Sequence, residues 1–269
     1  MEGCKFSIIV VSLNPGDKLL KTIQSITAQT CQDYEVVVKD GGSKDGSLEQ
    51  LRSWLGEEKV RICQQPDKSI YDGMNQGIAL ARGEWLYFLN CGDYFYSETA
   101  LEDFGKKIPN VPGDSLIYYG DIFDRERGSA IASNPKMNGF ACYRNVPCHQ
   151  ACVYHKSLFL ERGYEPKYRV RGDYEHFLWC FYKKKANPCY VPVTLASYEG
   201  AGYSETAENR KRSAGEHREI TGMYMTGPER FYYRLLLAVT LAPLRTKIAE
   251  HPALSRIYNK AKSLLYGKG

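Results

Sequence analysis

Residues 5–47 read KFSIIVVSLNPGDKLLKTIQSITAQTCQDYEVVVKDGGSKDGS and contain the pattern that decides the fold. The apolar run at 5–12 stops at an Asn-Pro-Gly turn, and about ten residues with helical spacing of leucine and isoleucine follow it. A second β-branched run at 34–39 ends in a polar turn at 40–43. Because both predicted strands are apolar without interruption, this strand–helix–strand order predicts a parallel sheet covered on both faces.

The alternation continues to residue 89 and then changes. Patterns before this point predict helices at 46–55 and 70–81 and strands at 60–63 and 84–89. Later patterns predict a helix at 100–108, a strand at 115–119, a hairpin at 122–132, a buried element at 148–156 and a helix at 173–183. We therefore predict an α/β fold with a Rossmann-like, mostly parallel central sheet flanked by helices and followed by a C-terminal helical extension.

Composition excludes several classes of protein. The chain has 269 residues, of which 43% are hydrophobic and 25% charged, so collagen-like and wholly disordered chains are excluded. A net charge of +5 is too small to indicate nucleic acid, and we predict no nucleic-acid partner. Nine scattered cysteines predict reduced thiols and a cytoplasmic location. The N-terminal run is typical of a first strand rather than a signal peptide, and no apolar stretch reaches the ~18 residues of a membrane-spanning helix.

Polar loops follow the predicted parallel strands at their carboxyl ends, where such sheets bind ligands. The loops lie at 12–14, 40–47, 66–72 and 90–93 and are rich in Asp, Asn, Ser and Gly. A carboxylate in the 40–47 loop could accept from a nucleobase or a ribose hydroxyl, or the loop could be an ordinary capped turn. A carboxylate at 90–93 could hold Mg²⁺ or Mn²⁺ with substrate phosphates completing the shell, or that turn could be purely structural.

Two further clusters carry candidate chemistry. In Arg171-Gly172-Asp173-Tyr174-Glu175-His176, Asp173 is a candidate general base or a helix N-cap, and Glu175 and His176 are its local rivals. The second cluster places Cys148 and Cys152 beside two histidines, a set that could ligate zinc. It lacks a second cysteine pair at suitable spacing, so buried thiols are favoured.

The segments SIIVVSLN, DGGSKDGS and PDKSIYDGMNQGIALARGEWLYFLNCGD together resemble the nucleotide-sugar-binding half of a family 2 glycosyltransferase of the GT-A fold. Within that family, IYDGMNQGI resembles the branch that builds capsular, colanic-acid-like and O-antigen polysaccharides. The resemblance covers roughly residues 5–215. It implies an inverting enzyme that moves a sugar from a nucleoside-diphosphate sugar, UDP-linked by family habit, to a hydroxyl of a glycan or lipid-linked acceptor in surface polysaccharide biosynthesis.

The resemblance also implies roles for individual residues on the donor side. Asp93 is the expected ligand for Mg²⁺ or Mn²⁺, although Asn90 and Gly92 stand where the Asp-x-Asp metal motif has acidic residues. The implied nucleotide-sugar-binding residues are Ser12, Asn14, Asp40, Gly42, Asp67, Asn75, Asn90 and Asp93.

Further positions receive roles in transfer. Asp173 matches the catalytic base, and His149 with Gln150 resembles an acceptor-side pair. Ser204 belongs to an element of a flexible loop over the donor, from which Arg210 and Lys211 could reach phosphate.

The expected organisation is a GT-A domain at 1–227 and an amphipathic basic helical tail at 228–269. The nucleotide-sugar half is expected at about 1–96 and the acceptor half at about 97–227. Apolar and basic residues at 228–250 fit peripheral binding at the inner face of the cytoplasmic membrane, or a helix packed on the domain.

Two alternatives belong to other classes. A sugar-phosphate nucleotidyltransferase would have a Gly-rich, Arg-containing loop after the first strand, where this chain has SLNPGD. A non-catalytic nucleotide-sugar-binding scaffold would be favoured by loss of Asp93 or Asp173, and both are present.

Overall fold

The computed structural model describes residues 4–55, 60–109, 113–199 and 206–239. Its strands are β1 (Phe6–Ser12), β2 (Tyr34–Asp40), β3 (Val60–Gln64), β4 (Trp85–Phe88), β5 (Tyr94–Phe95), β6 (Ile117–Asp124), β7 (Ser129–Ile131), β8 (Cys152–His155) and β9 (Pro188–Tyr198). Its helices are α1 (Lys18–Thr27), α2 (Ser47–Trp54), α3 (Ile70–Leu80), α4 (Ala100–Gly105), α5 (Gly139–Arg144), α6 (Ser157–Leu160), α7 (Gly172–Tyr182), α8 (Ala207–Tyr224) and α9 (Gly227–Val239). A 3₁₀ turn occupies His149–Ala151.

The first half of the sheet has the predicted parallel arrangement. All seven residues of β1 are buried, and β1 lies between β2 and β4 with parallel pairing to both. Successive β1 side chains enter opposite core clusters, with Ile8 and Val10 in one and Ile9 and Val11 in the other. Helices α1 and α2 pack in the first cluster and α3 and α7 in the second, so both faces are covered. Because β1 to β4 run parallel, their carboxyl ends meet at one edge of the sheet.

The second half departs from the prediction. The strand order is β3-β2-β1-β4-β8-β6-β9-β5, with β7 paired to β6. β8 runs antiparallel to β4 and β6, and the predicted hairpin is formed by β6 and β7. The α/β class with a central sheet flanked by helices is confirmed, and the sheet is mixed, because β8 enters beside β4 in the opposite direction.

The sheet continues through both predicted halves of the domain, and their boundaries remain predictions. The prediction places no helix at 207–224, where the structure has α8. α9 covers the first part of the predicted helical tail, whereas residues 240–269 lie outside the described residues. Within the described ranges, none of the helices has the length and apolar character needed to cross a membrane. All nine cysteines are described, and all are free thiols.

Candidate functional site

Asp40 organises the loop at the end of β2. Its side chain is fully buried, and its oxygens accept hydrogen bonds from Ser12 Oγ, Ser43 Oγ and the backbone N–H groups of Gly42 and Ser43, at 2.5–2.9 Å. Burial raises the pKa of this carboxyl, but the hydrogen bonds outweigh burial and hold the pKa below its ordinary value. Ser12, Asp40 and Gly42 therefore lie together in one hydrogen-bonded loop. The Asp40 carboxylate shapes the loop, and contact with a nucleobase would require one of these bonds to be exchanged.

Asn14 ties the β1 loop to the same structure. Its backbone N–H donates to Ser43 Oγ at 2.7 Å, and its Oδ1 accepts from Lys44 N–H at 2.9 Å. Its φ of 46° lies in the left-handed region, which asparagine tolerates better than most residues. The β1 and β2 loops therefore form one connected rim.

Lys39 is a buried cation that sequence reasoning missed. Its Nζ donates to Asp67 Oδ2 at 3.0 Å and to the carbonyl oxygens of Asp40 and Gln65 at 3.0 and 2.6 Å. These three acceptors match the three donors of an ammonium group. A Cβ on Gly41 would lie 2.7 Å from Asp67 Oδ2, so glycine leaves room for the carboxylate. The only signal in the sequence is a charged residue inside the β-branched run of β2.

Asp93 is the last residue of the turn that follows β4, and it is buried. Its Oδ2 accepts from Gln150 Nε2 at 2.9 Å, and among the described residues its Oδ1 receives a long contact of 3.4 Å from Glu199 N–H. Burial raises the pKa of Asp93 above its ordinary value, against the opposing effect of the Gln150 hydrogen bond. Gln150, predicted on the acceptor side, is thus attached directly to the predicted metal ligand.

The residues at this turn fit a divalent cation in part. Asp93 supplies one carboxylate with a weakly engaged oxygen, and Asn90 Oδ1 is buried with no hydrogen-bond partner among the described residues. Such oxygens are ligands that Mg²⁺ and Mn²⁺ prefer. Across the described ranges, no group of three or more His, Cys, Asp and Glu side chains could hold a metal ion. A cation here would need further oxygens from a bound diphosphate.

Asp173 lies in the first turn of α7. Its Oδ1 accepts from Tyr71 Oη at 3.0 Å and from Tyr174 N–H at 2.8 Å, and its Oδ2 faces His149 Nδ1 at 3.5 Å. Burial raises the pKa of this carboxyl, but the contacts from His149, Tyr174 and Tyr71 outweigh it and keep the pKa below its ordinary value. Its side chain retains 23% exposure, so an ionised carboxylate is open to an incoming hydroxyl.

His149 joins Asp173 to the Asn90 turn. The Asn90 amide nitrogen lies 2.9 Å from His149 Nε2 and can only donate there, so Nε2 is an acceptor. A neutral imidazole then carries its proton on Nδ1, which is the nitrogen that faces Asp173. The histidine therefore bridges the predicted donor and base residues.

The rivals of Asp173 have other environments. Glu175 is buried and pairs with Arg162 at 2.8 Å and with the Tyr224 hydroxyl. His176 is fully buried, stacks on Phe159 at 4.3 Å, and burial lowers its pKa to about 3. Neither side chain is accessible to a substrate, which leaves Asp173 as the base candidate of this segment.

Some predicted residues do not join the site. Asn75 exchanges two hydrogen bonds of 2.8 Å with the backbone of Tyr164, so its amide braces α3 against that segment rather than facing a nucleotide. Arg210 and Lys211 are exposed on α8, a regular helix rather than the flexible loop expected there. Ser204 lies outside the described residues. The thiols of the suggested zinc cluster contact chain oxygens, with Cys148 Sγ 2.6 Å from Gln150 Oε1.

Glu216 on α8 is a second residue that sequence reasoning missed. Its buried carboxylate accepts from the backbone N–H groups of Arg169, Val170 and Arg171 at 2.9, 3.1 and 2.8 Å. These groups lie directly before α7, so Glu216 holds the segment that leads into Asp173. No signal could have found it, because α8 itself was not predicted.

Comparisons with known proteins identify the family. A family model described as glycosyl transferase family 2 matches residues 7–165. A PGL/p-HBAD biosynthesis glycosyltransferase of Mycobacterium tuberculosis is 35% identical over 216 residues, covering 78% of this chain and 83% of the relative. An uncharacterized glycosyltransferase of the same species is 30% identical over 226 residues, covering 81% of this chain and 79% of the relative. The family resemblance is therefore confirmed, whereas the capsular and O-antigen branch stays an expectation.

Solved structures support the fold. S. aureus TarS 1-349 in complex with UDP-GlcNAc has a TM-score of 0.60 at 17% identity, covering 88% of this chain and 71% of that chain. The mannosyltransferase PcManGT from Pyrobaculum calidifontis, in complex with GDP-Man and Mn²⁺, has a TM-score of 0.62 at 13% identity. That match covers 100% of this chain and 89% of the mannosyltransferase. At these identities the likeness concerns the GT-A fold alone.

Proposed function

Because the chain belongs to glycosyl transferase family 2, we propose that it transfers a sugar from a nucleoside-diphosphate sugar to an acceptor hydroxyl with inversion of configuration. One observation carries the proposal: an ionised, partly exposed Asp173 is connected through His149 to Asn90, in the turn that contains Asp93. A base and a donor-side turn thus share one hydrogen-bonded network. This arrangement favours a transferase over the nucleotidyltransferase and scaffold alternatives.

In the proposed step, Asp173 removes the proton of the acceptor hydroxyl while the hydroxyl oxygen bonds to the anomeric carbon. The bond between that carbon and the diphosphate oxygen breaks on the opposite face, and the electron pair leaves with the diphosphate. No covalent enzyme intermediate forms, so the product has the inverted configuration. The His149 Nδ1–H and the Tyr71 hydroxyl favour the carboxylate form that this step needs.

The donor is proposed to lie along the rim formed by the β1 and β2 loops, with the nucleoside near Ser12, Asn14, Gly42 and Asp67. When a divalent cation is bound, Asp93 and the Asn90 amide oxygen would hold it, and its chemistry there is to neutralise charge on the departing diphosphate. Gln150 orients the Asp93 carboxylate toward this task.

The finer assignments are proposals of the same kind. We propose a UDP-linked donor from family habit, and TarS, which has the same fold, was solved with UDP and UDP-GlcNAc. PcManGT, also of this fold, was solved with GDP-Man, so a GDP-linked donor is the alternative. We propose a glycan or lipid-linked acceptor of surface polysaccharide or glycolipid synthesis, because the similar mycobacterial protein is named for PGL/p-HBAD biosynthesis. A cytoplasmic location at the inner face of the cytoplasmic membrane would suit a lipid-linked acceptor.

The test separates donor binding from chemistry. Calorimetric titration of UDP, GDP, CMP and dTDP, with Mn²⁺ and again with EDTA, identifies the nucleotide and the effect of the metal. Asp173→Asn should bind that nucleotide as the wild type does, yet release it from its nucleotide sugars about 10²- to 10⁴-fold more slowly, with water or added glycans as acceptor. Asp103→Asn is the matched control, because Asp103 is an exposed carboxylate on α4.

Three results would count against the proposal. Retention of most turnover in Asp173→Asn would remove this residue from the role of base. A product that keeps the donor's anomeric configuration in an NMR assay would contradict inversion. Absence of binding for every nucleotide would contradict the donor site on which the proposal depends.

A further inference from the structure

The exposed face of α9 is an apolar stripe. Phe231, Tyr232, Leu235 and Val239 are 64%, 57%, 49% and 79% exposed, and they are four of the nine large hydrophobic side chains exposed within the described ranges. Spacings of four residues place Phe231, Leu235 and Val239 in one row along the helix, and Tyr232 lies beside it. Clustered exposure of this kind indicates an interaction surface rather than scattered surface residues.

The opposite face of α9 is already occupied. The Tyr233 ring packs against the rings of Phe140 and Tyr143 at centroid distances of 5.7 and 5.5 Å, and Leu237 packs against the same core cluster. Two residues along a helix correspond to about 200° of rotation, so Phe231 and Leu235 point away from this contact. The helix is therefore held on the domain by one face and presents the stripe outward.

Charge is distributed unevenly along the sequence on the two sides of the end of α9. Residues 240–269, which follow α9 directly, contain six of the chain's 36 Lys and Arg residues but one of its 31 Asp and Glu residues. The first 239 residues are thus balanced at 30 of each, and the chain's whole net charge of +5 resides in the last thirty. A basic segment adjoining an apolar helix face is complementary to an anionic lipid surface.

We infer that the α9 stripe docks on the surface of a bilayer that contains anionic lipids, with the basic segment that follows it held near the headgroups. A second copy of the chain is a poorer occupant, because it would bring two segments of like charge together. This inference deepens the proposed location at the membrane, but it requires neither nucleotide binding nor transfer. Its test is therefore independent of the test of the proposed function.

The experiment measures sedimentation of the full chain with vesicles of phosphatidylcholine alone and of phosphatidylcholine mixed with phosphatidylglycerol. We expect binding to the mixed vesicles that weakens as salt rises. The variant Phe231→Gln, Tyr232→Gln, Leu235→Gln should bind them at least about tenfold more weakly, because it removes the inserted side chains but keeps a good helix former at each position.

One further variant is a control for exposed hydrophobic residues outside α9, and another tests the basic segment. Leu160→Gln with Tyr96→Gln removes exposed hydrophobic side chains outside α9, at 81% and 48% exposure, and should bind as the wild type does. Replacing Arg256, Lys260 and Lys262 by Gln should weaken binding to the mixed vesicles and reduce its dependence on salt. A thermal unfolding transition like that of the wild type establishes that each variant is folded.

The inference is overturned if the folded wild type binds neither kind of vesicle, whether because residues 240–269 cover the stripe or because nothing docks there. It is also overturned if the triple α9 variant binds the mixed vesicles as the wild type does. A wild type that forms a dimer without vesicles, and an α9 variant that is monomeric, would assign the stripe to a second copy instead.

Discussion

Glu216→Gln is expected to destabilise the chain and slow transfer, because one carboxylate satisfies three backbone donors ahead of α7. The three hydrogen bonds measure 2.8–3.1 Å, and the acceptor is charged. Hydrogen bonds to charged groups contribute about 1.5–3 kcal/mol each. Glutamine keeps one acceptor oxygen but presents an amide N–H where one backbone N–H now donates. One hydrogen bond is therefore lost and the other two have a neutral acceptor. We expect the free energy of unfolding to fall by about 2–4 kcal/mol.

Glu219 provides the matched control on the same helix. Its carboxylate pairs with Lys167 at 2.9 Å, but both side chains are about half exposed, and it contacts none of the three backbone donors. Exposed ion pairs contribute little to stability, so Glu219→Gln should lower the free energy of unfolding by less than about 1 kcal/mol. Equilibrium unfolding in urea measures both losses, provided that the slope of free energy against denaturant is unchanged.

Activity gives a second measurement on the same pair of variants. Relaxation of residues 169–171 would displace Asp173, so the Glu216→Gln variant should lose kcat while its affinity for nucleotide is kept. If Glu216→Gln were no less stable than Glu219→Gln, the account of three shared hydrogen bonds would be refuted. If its kcat matched that of the control, α8 would have no part in positioning the base.

Three further predictions test other contacts. Tyr71→Phe removes a hydrogen bond that lowers the pKa of Asp173, so the acid limb of the pH–rate profile should move to higher pH, and an unmoved limb would contradict the role of the hydroxyl. His176 has a folded pKa of about 3 against 6.5 in the unfolded chain, so only the unfolded state gains a proton as the pH falls between these values. The wild type should thereby lose about 1.4 kcal/mol of stability per pH unit in that window, and His176→Phe should lose less, as urea unfolding at several pH values will show. A Cβ on Gly163 would clash with Asn75 Oδ1, so Gly163→Ala should lower the free energy of unfolding by about 1–3 kcal/mol, and by much less in an Asn75→Ala background. Equal losses in both backgrounds would rule out this clash.

The first half of the fold was predictable because its signal is local. Each of β1, β2 and β4 is a predominantly apolar run that ends in a polar turn, and burial on both faces favours a central place in a parallel sheet. The carboxyl ends of β1, β2 and β4 then share one edge, which places Ser12, Asp40 and Asn90 near the same region. The mixed second half was not predictable, because β8 and β6 pair with strands far away in the sequence, and no turn chemistry near them specifies the direction of pairing.

Individual side-chain roles were less predictable than the edge itself. Gln150 and Asn75 were both assigned from the motifs in which they stand, yet their partners lie 57 and 89 residues away. An amide side chain can hydrogen-bond a ligand or a backbone segment with the same donor and acceptor groups. Its residue type therefore does not tell which of these partners it has. Lys39 and Tyr71 were missed because each acts through a contact that exists only in the folded chain.

The base shows where prediction from sequence ends. Asp173 could be selected because it matches the catalytic base in the family resemblance, whereas the residues alone left a helix N-cap and its neighbours Glu175 and His176 as alternatives. Tertiary packing separates the three: α7 turns Glu175 toward Arg162, buries His176 against Phe159 and leaves Asp173 partly exposed. That orientation depends on the segment held by Glu216 from α8, a helix whose polar sequence has little apolar periodicity to predict it. The identity of a base can thus be inferred from a motif, whereas its ionisation and direction are properties of the packed chain.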